Sequence, residues 1–591
     1  MVSWIESNGD FSQLSGAERL KAESKGLYGA LPEDLAQPVD HFSEEGAGIL
    51  KFHGAYQEDD RDARKERKKL GQDKLYYMMV RTKFGGGKIT PEQYIWCDEF
   101  ATRYGQNDMR ATSRQDIQFH GVPKSNLRRL MHDLNVLAHI STLGACGDVV
   151  RNTMASPVAD IDPRYVDLGF DAVRLAQEIN ARAFPKTQAY YELWINDHAV
   201  HVNPDGSVTF DRPPTPQEEE DPLYGKTYLP RKFKIAIGAD FDNSVDLYTN
   251  DVGIMAVTDH DKIIGFEILA GGGLGFSHGR EKTYPRLADH VAFVSYDEIW
   301  PIVEAIIHVQ RDWGDRTDRR QARLKYTVDR LGLETFVGKI YEYAGRTFAP
   351  PRGVKPNDHP DFLGWHKQSQ PGLNYVGVWV ECGRIKDYPG SHQFKSGLRR
   401  IVEKFRVSVR ITPDQNLILA NIRDEDVAAV QDLLDEFSIP TDQNLPRIRR
   451  KEMACVALPL CNLATTEAER VMPEVMRGLV AAGFGDEDVV IRMTGCPNGC
   501  ARSSACEIGL IGKGTNRYVL AVGGDYLGTR LNQVLYPSIE FKDIVPTISK
   551  LLSLWKAARK PEEHFGDWAY RVGVDHLRKQ LENGVITDQT T

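Results

Sequence analysis

The chain has 591 residues, a net charge of −9, and 41% hydrophobic and 27% charged residues. That length implies more than one domain and a core large enough to enclose a bulky group. The acidic balance argues against a nucleic-acid binder, and no apolar run is long enough to span a bilayer. The opening MVSWIESNGDF lacks the basic and apolar stretches of a secretory leader. A cytoplasmic protein with no nucleic-acid or membrane partner is expected.

Residues 1–70 read as an N-terminal arm, irregular to about residue 50. It closes on KFHGAYQEDDRDARKERKKL (51–70), which ends rich in cations. Such a run is either a solvated helix face or a contact for an anionic cofactor or an electron donor. A repeat then becomes visible. YYMMVRTKFGGGKIT (76–90) parallels YVGVWVECGRIKD (375–387), and MRATSRQDIQFHGV (109–122) parallels VRITPDQNLILANI (409–422). Each set leads into an amphipathic helix, KSNLRRLMHDLNVL (124–137) or EDVAAVQDLLDEF (425–437). The strand–helix–strand–helix order predicts two half-domains, over 71–143 and 363–440.

A second repeat pairs GACGDVVRNTMASP (144–157) with MACVALPLCNLATT (453–466). It also pairs LPRKFKIAIG (229–238) with VIRMTGCPNGCARSSACEIGLIG (490–512). Larger domains are expected over 144–362 and 441–591. The expected class is therefore α+β, a duplicated chain with pseudo-two-fold halves. A group held between such halves can take cations from one and metal ligands from the other. The first half offers Arg81, Arg151, Lys232 and Lys234, where the paired lead-ins of the second carry cysteines. Lys232 and Lys234 are two apart, so on a strand both face one way.

Five of the eight cysteines fall between positions 455 and 506. In a reducing compartment this clustering reads as metal ligation or redox chemistry rather than disulfides. The spacings are Cys455-x5-Cys461 and Cys496-x3-Cys500. Zinc knuckles usually leave two to four residues between paired cysteines, so the longer gap fits zinc poorly. Four soft thiolates from two loops suit a [4Fe–4S] cluster, with zinc or unligated core thiols as the alternatives. Pro497 and Gly499 predict a tight loop around the second pair. Cys506 reads as a core thiol.

ACVALPLCNLATTEAER and RMTGCPNGCARSSACEIGLIGKG resemble the two signature segments of the sulfite and nitrite reductase haemoproteins. KFHGAYQEDDRD, TSRQDIQFHG, LPRKFK, GGGLG and QRDWGDRTDRRQARLKYTVDRLG resemble further segments of that family, in its order, from about residue 15 to residue 575. The resemblance implies ferredoxin-like half-domains and two larger α/β domains around sirohaem. It implies Cys455, Cys461, Cys496 and Cys500 as [4Fe–4S] ligands, with Cys500 also the axial ligand of the sirohaem iron. It maps the substrate cage onto Arg81 and Arg151, which anchor the anion, and onto Lys232 and Lys234, which deliver protons. It maps sirohaem contacts onto Arg110, Arg114, Gln118 and His120. The arginines of 311–325 are weaker candidates, some expected to pair with Asp312, Asp315 and Asp318. Tyr56 and Cys146 match a pair that is covalently linked in some members.

The implied activity is the six-electron reduction of sulfite to sulfide. ACVALPLC, CPNGCAR and Lys234 side with the sulfite branch. A ferredoxin-dependent nitrite reductase and a non-catalytic iron–sulfur carrier are the alternatives. GGGKI and GGGLG lack the strand–GxGxxG–helix context of a dinucleotide site. Electrons are therefore expected from a separate protein, an NADPH-dependent flavoprotein subunit or ferredoxin, and the N-terminal half sides with the NADPH system.

Overall fold

The computed structural model describes residues 13–197, 200–211 and 220–583. The outer ends of the expected terminal domains, 1–12 and 584–591, lie outside the described residues. Among the described residues no helix is long and apolar enough to cross a membrane.

Two small five-stranded sheets carry the first repeat. One runs Ala55–Asp59, Tyr76–Arg81, Ile117–Val122, Met109–Ala111, Arg384–Ile385; the other runs Gly364–Lys367, Leu373–Val378, Leu417–Arg423, Ser408–Ile411, Lys88–Ile89. Each sheet takes its last strand from the opposite half. Arg384 pairs with Arg110, and Lys88 pairs with Arg410. An open edge would leave backbone donors and acceptors unpaired, so each half closes the other's edge. The turns repeat in detail too. Gln115 and Gln415 both hold positive φ, 59° and 68°, and the N–H groups of Thr112 and Thr412 donate to the carbonyls of Asp116 and Asn416.

The large domains repeat one sheet. Its order is Asp289–Val294, Lys262–Ala270, Val252–Asp259, Ile235–Ala239, Met154–Ala155 in the first, and Gln533–Glu540, Arg517–Val522, Ile508–Gly514, Ile491–Thr494, Met453–Ala454 in the second. In both, the last three strands named are mutually parallel and the first two add antiparallel.

This topology corrects the expected pairing of the second repeat. Met154–Ala155, not the segment from residue 144, is the counterpart of Met453–Ala454. Arg151, Lys232 and Lys234 precede their strands, whereas Cys455, Cys461, Cys496 and Cys500 follow theirs. Cations and cysteines thus sit at opposite ends of equivalent strands. The counterpart of the second cysteine loop is residues 240–251. The paired loops share no common residue pattern, so the sequence offered little to fix the register.

The arm also differs from expectation. Helices Gly16–Glu23, Leu31–Ala36 and Glu44–Leu50 pack together, and Ala55–Asp59 is the edge strand of the first small sheet. Leu27, Leu31, Leu35, Ile49 and Leu50 are buried. The helices are one or two turns long, too short for a 3.6-residue period to show.

A buried ion cluster joins the halves. Asp246, from the first large domain, accepts from Arg492 (2.7 Å) and Arg502 of the second. His359 Nε2 stands 3.3 Å from it. Asp414 lies 3.5 and 3.4 Å from the same two arginines. Arg502 also donates to the carbonyls of Ser113 (3.1 Å) and Pro413 (3.0 Å), the two equivalent turns of the small sheets. Burial alone would raise the Asp246 pKa; Arg492 and Arg502 overcome it and hold the carboxyl well below the usual range.

Breaking a buried pair from one side strands a charge, so Asp246→Asn is expected to destabilise the protein by about 3–5 kcal/mol. The stability from Asp246 is present above the unfolded carboxylate pKa and is lost as pH falls towards the depressed folded value. Denaturant titrations from pH 7 to pH 3 should show the wild type losing stability faster than Asp246→Asn as acid is added; parallel curves would contradict the assignment.

Candidate functional site

A small cavity lies between the large domains, lined by Arg114, Lys234, Asn250, Arg323, Cys500 and Arg502 among others. Gly275, Arg323 and Asn498 also line a cleft of about 950 Å³, with Arg231, Lys232, Arg319 and Arg320 on its walls. Asp318 is the single carboxylate in the two linings. The site is a concave, cationic space.

The cysteine loops clasp each other at Gly495. Its N–H donates to Cys455 Sγ (3.2 Å), and its carbonyl accepts from the N–H groups of Thr465 (2.8 Å) and Thr466 (3.2 Å). A Cβ at Gly495 would meet Ala457 and the Thr466 carbonyl at 2.6 Å, so the approach requires glycine. The second loop turns at Gly499, φ 67°, and leans on the glycine turn before it, where Phe276 N–H donates to Pro497 O (3.0 Å). Asn498 Nδ2 lies 3.4 Å from Cys496 Sγ. Cys455 and Cys496 are buried, Cys461 is half-buried, and Cys500 is the exposed cysteine of the eight, on the cavity wall.

Burial first, then Cys500 and Cys496, push the Cys455 thiol well above its ordinary pKa. Burial and Cys500 take Cys496 to about 11, and burial and Glu58 take Cys461 to about 12. Cys455, Cys461 and Cys496 each feel Cys500, so the four stand close, and a bound metal reverses the balance that holds those three thiols protonated. Among the described residues no three His, Cys, Asp or Glu side chains gather tightly enough for a single ion. A tetrahedral zinc needs thiolates roughly 4 Å apart, whereas a four-iron cluster gives each thiolate its own iron. The donor set, with its backbone N–H aimed at sulfur, suits the cluster.

Lys232 and Lys234 flank Phe233, which is fully buried. They precede the strand at Ile235, Phe233 between them already pairs with Val150 in a parallel bridge, and the two lysines line the cleft and the cavity respectively. Neither has a carboxylate partner among the described residues. Burial, then Arg231 and Arg323, lower the Lys232 pKa to about 7. Burial, then Lys232 and Arg114, hold Lys234 well below its usual value. Arg151 Nε donates to Gly147 O (2.8 Å) and its Nη2 to Tyr56 Oη (3.4 Å). The buried Nε of Arg81 has no hydrogen-bond partner. Arg81 feels the negative forms of Cys146, Tyr56, Asp116 and Cys500, which places it at the same centre. Tyr56 in turn feels Arg151 and Cys146.

The other predicted contacts divide. Arg114 lines the cavity; it donates to Asn250 Oδ1 (2.8 Å) and Ile235 O (3.0 Å), its buried Nε is unpartnered, and burial lowers its pKa to about 9. Arg110, Gln118 and His120 do not line it. Arg110 binds Glu469 (2.9 Å) and the Ala454 carbonyl (2.7 Å). Its pseudo-symmetric counterpart Arg410 does the same with Asp160 and the Pro157 carbonyl (2.9 Å). A duplicated contact of this kind is architecture: Arg110 fixes the strand leading to Cys455. Gln118 donates to Met79 Sδ (3.4 Å). His120 lies 3.3 Å from Arg384, and burial with Arg384 and Arg110 keeps it neutral.

Of the arginines of 311–325, only Arg311 pairs as expected, with Asp312 (2.6 Å). Arg316 binds Glu18, Arg319 binds Asp148 (2.7 Å), and Arg323 binds Asp251 (2.9 Å). Arg323, one of the weaker candidates of 311–325, does line the cavity; Arg502 and Asn250 are cavity residues that sequence reasoning did not single out. Asp251, outside the lining, holds Arg323 and accepts the Lys234 backbone N–H (2.9 Å).

The chain matches the family model described as nitrite and sulphite reductase 4Fe-4S domain over residues 146–348 and 449–586. It matches the nitrite/sulfite reductase ferredoxin-like half domain over 70–137 and 366–437. It is 40% identical over 568 residues to a sulfite reductase [NADPH] hemoprotein beta-component of Shewanella loihica, covering 95% of this chain and 97% of the relative. A protein of the same name from Staphylococcus carnosus is 37% identical over 569 residues, with 95% and 96% covered. The solved structure of the Mycobacterium tuberculosis NirA protein aligns with a TM-score of 0.75 at 23% identity, covering 95% and 97%, a likeness of fold.

Reconstitution with iron and sulfide should load about four irons per chain. Cys455→Ser, Cys461→Ser and Cys496→Ser are expected to lose iron and acid-labile sulfide, while Cys506→Ser retains both. Full iron content in Cys461→Ser would remove it from the ligand set.

Proposed function

Since the chain belongs to the nitrite and sulphite reductase family, we propose that it is an assimilatory sulfite reductase haemoprotein, reducing sulfite to sulfide with six electrons. One observation supports this reading above others: Lys234, without a carboxylate partner among the described residues and depressed in pKa, lines one cavity with the exposed Cys500, and Lys232, likewise depressed, lines the adjoining cleft. When bound, sirohaem and the [4Fe–4S] cluster would supply redox-active iron and a store of electrons, and Cys455, Cys461, Cys496 and Cys500 would hold them.

The chain's own residues do the rest. Sulfite is a small dianion whose oxygens leave as water, so the site must bind negative charge and donate protons. Arg81 and Arg151 anchor the anion through planar guanidinium donors. Lys232, poised near pH 7, both gives and regains a proton under working conditions. Lys234 supplies the second charge that a dianion calls for. Arg114, Arg231, Arg319 and Arg323 line the surrounding walls and offset the carboxylates of the macrocycle. The chain has no convincing dinucleotide-binding segment, so its reductant is another protein; the reading favours an NADPH-dependent flavoprotein subunit over ferredoxin, and a cytoplasmic location.

The purified protein is expected to show a sirohaem Soret band over broad cluster absorption. A colourless preparation that takes up zinc instead would sink the proposal. Lys234→Asn removes one charge-assisted contact and is expected to lower sulfite kcat/KM by roughly tenfold or more, while sparing nitrite. Equal losses for the two anions would deny Lys234 its role in selecting a dianion.

A further inference from the structure

The cationic end of the N-terminal segment takes no part in the cavity. It lies against the outer side of the Cys461 loop. The Arg61 guanidinium donates to the carbonyls of Cys461 (3.1 Å), Asn462 (3.0 Å) and Ala464 (3.3 Å). Glu58 accepts the Asn462 N–H (2.8 Å), and Arg64 reaches Asn462 Oδ1 (3.2 Å). Asp62 pairs with Arg470 (2.6 Å) on the far side of the loop. The helix Arg64–Lys69 continues from this buttress and buries none of its residues.

Two properties set this surface apart. Between residues 61 and 74, seven cations face three acids, on a chain whose net charge is −9. Lys65 and Lys68 have no carboxylate partner among the described residues. Apolar side chains also stand out here: Leu463 is 67% exposed at the loop tip, and Leu70 is 63% exposed where the helix ends. An apolar tip beside cationic groups is the pattern of a recognition surface, where charge sets encounter rate and orientation.

We infer that the helix Arg64–Lys69 and the tip Asn462–Thr465 together form the docking site of the electron donor, a redox protein presenting an acidic face. The inference rests on the reductase reading above. Of the four cysteines in that reading, Cys500 faces the cavity, Cys455 and Cys496 are buried, and Cys461 alone is half-buried beneath an outer surface. A donor seated here is separated from the Cys461 side chain by little more than its own loop. Each docking passes one electron inward from the reduced flavin or iron–sulfur centre of the donor, which departs oxidised by one electron. Six such transfers, with seven protons, convert sulfite into hydrosulfide and three waters.

The test is the holoenzyme carrying Lys65→Glu, Lys68→Glu and Lys69→Glu, three exposed positions outside the site machinery. Sulfite reduction is driven by reduced methyl viologen, a small radical cation that needs no docking surface, and separately by a reduced plant-type ferredoxin and by an NADPH-dependent flavoprotein. With methyl viologen, the variant should match the wild type. With the protein donor, its KM should rise roughly tenfold or more, and added salt should weaken the wild type but not the variant. Carbodiimide should cross-link donor carboxylates to Lys65 or Lys68 of the wild-type protein. An unchanged KM with cross-links elsewhere would overturn the inference. So would failure of both protein donors on a wild type that turns over with methyl viologen. A wild type that methyl viologen cannot drive counts instead against the reductase reading, and the cross-link map then decides the docking surface by itself.

Discussion

The site depends on a carboxylate that never touches substrate. Asp246 reaches across from the first large domain to Arg492 and Arg502 of the second, and Arg502 continues to the turns of both small sheets. The four five-stranded sheets meet through this contact. Arg502 also lines the cavity and stands two residues beyond Cys500. The ion cluster therefore sets the distance between the cysteine loop and the opposite wall. Ions this buried stabilise little in net terms, because desolvation consumes most of the attraction. What they provide is geometry: a charge that is satisfied in one arrangement and stranded in any other.

The same distinction sorts the remaining cations. Arg110, Arg384 and Arg410 spend their guanidinium groups on carboxylates and carbonyls, and each secures a strand. Arg323 is half-committed, bound to Asp251 on one side and facing the cavity on the other. Lys232 and Lys234 have no carboxylate against them among the described residues, and Arg81 keeps a buried Nε without a hydrogen-bond partner. A protein does not keep such charges inside unless an anion or a proton economy makes use of them. Residues of one type, close in space, thus divide by whether a counter-ion already stands against them.

That division explains what the sequence made legible. The cysteine spacing pointed to a cluster, and the family resemblance reached the lysines, because those features are local and chemically distinctive. The repeat was visible wherever a largely apolar strand carried it, as in Tyr76–Arg81 and Leu373–Val378. It failed in the loops, where the paired segments share no pattern and the register slipped by about ten residues relative to the strands. Arg110 and His120 were out of reach for another reason. Their neighbours Glu469 and Arg384 are hundreds of residues away, and no local signal says that a guanidinium is already taken. The short helices before residue 50 were hidden because one or two turns carry no readable period.

The corrected register changes what duplication accomplishes. Had cations and cysteines occupied equivalent positions, two-fold symmetry would have set them facing each other by simple substitution. Instead, Lys232 and Lys234 lie before one strand and Cys496 and Cys500 after its counterpart. The loop equivalent to the second cysteine pair, residues 240–251, became the anchor: it carries Asp246, which ties the halves, and Asp251, which holds Arg323 and the start of the lysine strand. Each copy of the strand therefore uses one end for the site and leaves the other for support. A fold with both ends of a repeated strand available can divide binding from ligation without new architecture, and the asymmetry of the chemistry needs nothing more than different loops on the same frame.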